Sequence, residues 1–237
     1  MSIEVKQLSK IYGSQKAVDE ISFSAGPGEI LGFLGPNGAG KSTTMKILSC
    51  YIPQTSGEAT VAGYDVRAQS MEVRRHLGYL PEHNPLYEEM YVREALEFVA
   101  AVRKVAGRKK RIEEVIELTG LGGEQQKRIG ALSKGYRQRV GLAQVIIHDP
   151  QVLILDEPTT GLDPNQLVEI RKLIKELGRT KTIILSTHIM QEAEALCSKA
   201  VIINKGRIVA DSPLADLAAA YPRKTFEEIF IQLTAGE

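Results

Sequence analysis

The sequence is poor in cysteine, has no dominant charge sign and contains no long apolar run, and each absence removes a class of protein. Only Cys50 and Cys197 occur among 237 residues. They are too few and too isolated for a disulfide framework, and neither has a Cys or His neighbour at zinc-ligand spacing. Both read as structural thiols. The 30 Lys and Arg against 29 Asp and Glu leave a net charge of +1, far from the positive field of a general nucleic-acid binder, so any phosphate chemistry must be local. No apolar run approaches the ~20 residues that cross a bilayer. The longest candidates, such as Val152 to Leu155 and Thr182 to Leu185, have strand length. The opening MSIEVKQLSK alternates apolar Ile3, Val5 and Leu8 with polar residues and lacks the apolar core of a signal peptide. Internal repeats and low-complexity linkers are also missing. These exclusions predict a cytoplasmic chain that does not span a membrane.

What is present is ordinary for a globular protein: 43% hydrophobic and 25% charged residues, with 10 Pro and 21 Gly. The length suits one large domain, or a main domain with an insert. Short strands are expected at Ile3 to Leu8, Val18 to Ser24 and Glu29 to Leu34, then a helix from Lys41, strands around Glu58 to Val61, a helix at Ser70 to His76 and a strand at Leu77 to Leu80. Between Pro85 and about Pro150 the period becomes helical, as in Val92, Leu96, Val99 and Val102 or Ile112, Val115, Ile116 and Thr119. From Gln151 onward strands alternate with helices: Val152 to Asp156, Pro164 to Leu177, Thr182 to Ser186, Ile189 to Cys197 and Ala200 to Asn204. That alternation implies a parallel sheet covered on both faces. The tail from Pro213 to Leu233 has room for two helices. The basic run Arg103 to Arg111 has helical spacing and no interleaved aromatic, so it reads as a solvated helix face.

Gly35 to Ser42 reads GPNGAGKS and fits G-x-x-x-x-G-K-[ST] where a strand ends and a helix begins, the context that this phosphate-binding motif requires. Backbone N–H groups of Gly35, Pro36, Asn37, Gly38, Ala39 and Gly40 (all but the proline's) would turn around a polyphosphate, and side chains at Gly38 or Gly40 would crowd that approach. Lys41 supplies a charge to the phosphates, Ser42 offers a hydroxyl to Mg²⁺, and the helix N-terminus, with Thr43, faces the same anion. Val152 to Glu157 reads VLILDE, an apolar strand that delivers two carboxylates where ligands collect in open parallel sheets. Alternation along the strand lets the two differ in role, with Asp156 on the metal and Glu157 on the attacking water.

Leu132 to Val140 reads LSKGYRQRV, which resembles the LSGGQ signature of the ATP-binding cassette (ABC) family. The IYG containing Tyr12, the YLPE ending at Glu82, the GLD from Gly161 to Asp163 and the STH ending at His188 follow the same pattern, so the resemblance covers nearly the whole chain. It implies an α/β P-loop NTPase with an ABC-type core and a small antiparallel N-terminal sheet: a core of residues 1–84 and 151–212, a helical signature subdomain of 85–150, and C-terminal helices in 213–237. It further implies ATP and Mg²⁺ as cofactors, Tyr12 stacked on adenine, Glu82 as a further Mg²⁺ ligand and His188 on the γ-phosphate. Ser133 and Gly135 would touch that phosphate from a second subunit, with Asp163 at the dimer seam.

Two departures stand out. Glu82 replaces the more usual Gln, and Lys134 and Tyr136 replace Gly and Gln of the signature. A carboxylate is still a hard-metal ligand, whereas Lys134 opposes the helix dipole unless an anion binds there or it points to solvent. The expected protein is the ATP-hydrolysing subunit of a transporter, a homodimer or heterodimer docked on the cytoplasmic face of a separate membrane permease, with no nucleic acid bound. Glu82 looks typical of the exporter-type branch, and the LPEHNPLY and TFEEIFIQLT segments resemble the gliding-motility transporter ATPase. The rival is a soluble cassette ATPase acting on ribosomes or DNA. Such proteins usually pair two cassettes in one chain or insert long coiled coils, and neither is seen here.

Overall fold

A computed structural model describes residues 1–235; Gly236 and Glu237, the end of the expected tail segment, lie outside the described residues. Strands β1 (Ile3–Tyr12) and β2 (Gln15–Ala25) form a hairpin, followed by β3 (Ile30–Leu34), helix α1 (Lys41–Leu48), β4 (Ser56–Val61), β5 (Tyr64–Asp65), α2 (Ser70–His76) and β6 (Leu77–Leu80). The insert comprises α3 (Val92–Val102), α4 (Arg108–Leu118), a 3-10 turn at Ile129–Ala131 and α5 (Lys134–Ile146). The chain then alternates through β7 (Val152–Asp156), α6 (Pro164–Gly178), β8 (Thr182–Thr187), α7 (Met190–Leu196) and β9 (Lys199–Asn204), and ends with β10 (Arg207–Pro213), α8 (Leu214–Ala220) and α9 (Phe226–Thr234).

The strands make two sheets. An antiparallel sheet runs β2-β1-β4-β5, and a six-stranded sheet runs β10-β9-β3-β8-β7-β6, parallel except for its edge strand β10. β7 and β8 are buried along their whole length, which explains their unbroken apolar runs. Alternate residues divide two cores. Leu153, Leu155, Ile183 and Leu185 join the helical side with Leu96, Val115, Val140 and Ile174, whereas Val152, Ile154 and Ile184 face the antiparallel sheet and α1. Asp156 pairs in register with Ser186, and Leu34 with Thr187. The loops after β3, β7 and β8 therefore leave the sheet at one edge, where ligands gather in such folds.

Three expectations need adjusting. The apolar stripe of α3 runs through Val92, Ala95, Leu96 and Ala100, and Val102 is exposed. The basic run is not one helix face: α3 stops at Val102, Gly107 turns the chain with φ of +60°, and only Arg108 onward is helical. Lys109 and Lys110 are solvated, but Arg111 donates to the carbonyls of Ile146 and Ile147, and Arg103 donates to the Arg74 carbonyl. Strand β10 was not expected from the sequence: Ile208 and Ala210 are only partly buried and the apolar Val209 between them is exposed, as befits an edge. At its start Gly206 (φ +81°) donates to the Ala39 carbonyl at 2.9 Å and accepts from the Asp19 N–H at 2.8 Å. The β9–β10 turn thereby ties the phosphate loop to β2.

Under the sheet edge, His148 Nε2 lies 3.1 Å from the Leu77 carbonyl, which can only accept, so Nε2 donates. Burial, with the Arg103 charge behind it, lowers its pKa from 6.5 to about 4. A histidine held neutral in the fold takes up its proton on unfolding, so stability is undiminished above pH 6.5 and falls as pH drops from 6.5 towards 4. His148 alone should remove up to about 3 kcal/mol over that window. Urea unfolding of wild type and His148→Gln at several pH values should give the variant the shallower slope.

Candidate functional site

The phosphate loop joins β3 to α1. Gly40 stands before α1 with φ of +111°, and a Cβ there would lie 2.5 Å from the Ala17 carbonyl, so no larger residue fits. Gly38 has φ of +79°, which favours glycine, and no protein atom lies near its Cβ position. Lys41 is buried, and its Nζ donates to the carbonyls of Gly35 at 2.7 Å and Pro36 at 3.2 Å. Burial lowers the ammonium pKa, while the charges of Glu157, Asp156 and Glu82 oppose that shift. α1 carries no acidic residue in its first turn, and the first N–H groups of any helix lack intrahelical partners. A buried cation and free amides thus converge on one spot, an arrangement that selects polyanions.

Asp156 ends β7 only 3% exposed, and its Oδ1 has no hydrogen-bond partner. Burial raises its pKa; the nearby hydroxyls of Ser186 and Ser42 temper the shift and the charges of Glu157 and Glu82 add to it. Glu157 does not owe its separate direction to strand alternation, as the sequence suggested. The strand has already ended, and Glu157 turns out of it with φ of +51°. Its Oε1 accepts from His188 Nδ1 at 2.8 Å, and its Oε2 accepts from Thr160 Oγ1 at 3.2 Å.

One cavity of about 550 Å³ is bounded by Tyr12, Asn37, Gly38, Gly40, Lys41, Ser42, Thr43, Glu82, Glu157 and His188. Tyr12 is half exposed at its lip, with Lys10 Nζ 5.1 Å from the ring centroid. Seven sequence candidates are not among its lining residues: Gly35, Pro36, Ala39 and Asp156, which belong to the adjoining loop and strand end, and Ser133, Gly135 and Asp163. Ser133 is exposed and caps α5 by accepting from the Tyr136 N–H at 3.4 Å. Gly135 is buried against the Gln166 side chain. Asp163 caps α6 by accepting from the Asn165 and Gln166 N–H groups, each at 3.0 Å. Lys134 is exposed, and its ammonium lies beside Gly161. Gln15 and Ala17, on the first turn of β2, also line the cavity; their only signal was proximity to Tyr12. Thr160 had none.

The family model for the ABC transporter matches residues 18–160. The bacitracin transport ATP-binding protein BcrA of Bacillus licheniformis is 39% identical over 91% of this chain and 71% of its own length. The linearmycin resistance ATP-binding protein LnrL of Bacillus subtilis is 35% identical over 99% of this chain and 75% of its own. Among solved structures, an ATP-binding subunit of an ABC transporter superposes with a TM-score of 0.89 at 29% identity, covering 98% of this chain and 99% of that one. A dimeric post-hydrolysis state of the cassette MJ0796 bound to ADP and Pi reaches 0.81 at 25% identity, covering 90% and 98%. With more than half of the chain matched by the family model and relatives aligned over 91% and 99% of it, the chain belongs to the ABC transporter family, as an ATP-binding protein that hydrolyses ATP.

Proposed function

We propose that the chain is the ATPase subunit of an exporter, working as a pair of subunits with two ATP molecules between them and driving a separate membrane permease. The observation that carries this reading is the incomplete cavity: Lys41, Ser42, Glu82, Glu157 and His188 gather there, while Ser133 and Gly135 lie elsewhere on the same copy. α5 presents an exposed Ser133 and a first turn without acid, suited to the γ-phosphate held by another copy. Tyr12 stacks on the adenine, the loop from Gly35 to Thr43 cradles the phosphates, and Asp163 sits at the seam.

Mg²⁺ fits the donors. Among the described residues no group of three or more His, Cys, Asp and Glu gathers at metal-ligand spacing, but Mg²⁺ needs only one or two carboxylates beside phosphate oxygens and water. The unpartnered, buried Asp156 Oδ1 would be such a ligand, and the Ser42 hydroxyl and Glu82 would add further protein oxygens. When bound, the ion offsets charge on the phosphates. Glu157 takes a proton from water as its oxygen attacks the γ-phosphorus. The bond to the β–γ bridging oxygen breaks, its electron pair stays on ADP, and phosphate leaves. His188 holds the Glu157 carboxylate and meets the γ-phosphate.

The core of residues 1–84 and 151–212 binds nucleotide, and the helices of 85–150, with the loop after Glu82, carry movement to the permease. A groove of about 400 Å³ at their junction, lined by Tyr51, Arg74, Tyr79 and Arg103, supports this. Its two guanidiniums bind only carbonyls among the described residues, leaving charge for a partner. No helix among the described residues is long and apolar enough to cross a membrane; on the proposed reading the permease is a separate protein and the chain sits on its cytoplasmic face. The exporter direction draws on the similarity to the Nod factor export ATP-binding protein I of Rhizobium etli, 38% identical over 91% of this chain. The gliding-motility assignment rests on residues 80–87 and 225–234 alone.

Mixing separates this from a one-copy mechanism. Ser133→Asp keeps the helix cap but places a charge against the γ-phosphate, and Lys41→Ala empties the other half of the site. Each alone should be inactive. Together they form one intact site per mixed dimer, and activity should reappear. No recovery at any ratio counts against action between copies.

A further inference from the structure

The turn after β7 holds a side chain that no step above uses. The Thr160 N–H donates to the Glu157 carbonyl at 3.3 Å, closing a four-residue turn whose first residue has φ of +51°. Few non-glycine residues adopt that conformation. The turn folds Thr160 back on the side chain that starts it, so that Oγ1 donates to Glu157 Oε2 at 3.2 Å. The adjacent Thr159 is no substitute, because its hydroxyl is buried without a partner. Glu157 is 7% exposed, and its two carboxylate oxygens are held on opposite sides, Oε2 by Thr160 and Oε1 by His188.

We propose that Thr160 is a positioning residue for hydrolysis: its hydroxyl fixes the rotation of the Glu157 carboxylate about its last bond. A carboxylate accepts at about four lone-pair positions, so with Oε2 anchored, Oε1 keeps one lone pair for His188 and turns the other to the attacking water. Without the anchor the group is tethered at one oxygen only and rotates away from that alignment, and proton transfer is sensitive to such misplacement. The inference rests on Glu157 as the base.

Thr160→Val removes the hydroxyl at constant shape, and Thr160→Ser retains it. The Val variant should lose about tenfold in kcat, the size of one lost hydrogen bond, with KM for ATP unchanged and Ser restoring the rate. Thr160→Ala, which cannot crowd the turn, should match Val. In a Glu157→Gln background the Val change should cost nothing more, since the proton acceptor is already gone. Wild-type kcat in Val and Ala, a rise in KM equal to the fall in kcat, a Ser variant no better than Val, or an undiminished Val effect beside Glu157→Gln would each overturn the proposal. Failure of the base assignment looks different: Glu157→Gln by itself would then hydrolyse ATP at the normal rate.

Discussion

Lys41→Ala is expected to weaken ATP binding by about 100-fold or more, measured by calorimetry on the isolated chain. Lys41 is 6% exposed and its ammonium is held by the Gly35 and Pro36 carbonyls, so it stands ready before any nucleotide arrives. Hydrogen bonds to charged groups contribute about 1.5–3 kcal/mol each, and a phosphate presents more than one acceptor. The effect is on binding and not on folding. Burial already depresses the lysine's pKa, so removing a desolvated charge gives back part of what its two carbonyl contacts contributed. Thermal unfolding should therefore move by only a few degrees. Normal affinity would count against the phosphate-loop role.

Glu157→Gln should leave ATP affinity intact and lower hydrolysis by about 10²–10⁴-fold, the range for a positioned general base. The amide keeps the shape and one acceptor oxygen, so the contacts with His188 and Thr160 need only partial rearrangement. With hydrolysis stopped and Mg²⁺ withheld, ATP should hold two copies together, and light scattering should report a doubled mass. A nucleotide-loaded monomer would count against pairing through Ser133 and Gly135. Steady hydrolysis by the variant would move the base elsewhere.

The cavity floor was legible in the sequence because the residues proposed to bind phosphate are local in the chain. GPNGAGKS and VLILDE each carry their own backbone context, a strand running into a turn. The fold class was legible for a related reason, since β7 and β8 are buried on both faces and show unbroken apolar runs. β10 was not, because its apolar residues, Ile208 to Ala210, are consecutive rather than alternating, with Val209 on the wet face. The role of Thr160 was hidden too: it depends on the left-handed conformation of Glu157, and a glutamate does not announce that conformation as a glycine would. Arg103 and Arg111 looked like neighbours on one solvated face. The break at Gly107 sends one to the Arg74 carbonyl and the other to the end of α5, a divergence set by tertiary contacts beyond the reach of periodicity.

The Gly206 amide offers a clock for the phosphate loop. It is buried and closes on the Ala39 carbonyl from a turn outside the nucleotide cavity. Its proton can exchange with deuterium only when the β9–β10 turn and the loop part company, and exchange rates report the free energy of such local opening. A ligand that stiffens the loop slows that one amide, whereas a ligand bound elsewhere leaves its rate alone. Occupancy and loop breathing can thus be followed at a single backbone position without placing any label where ATP sits.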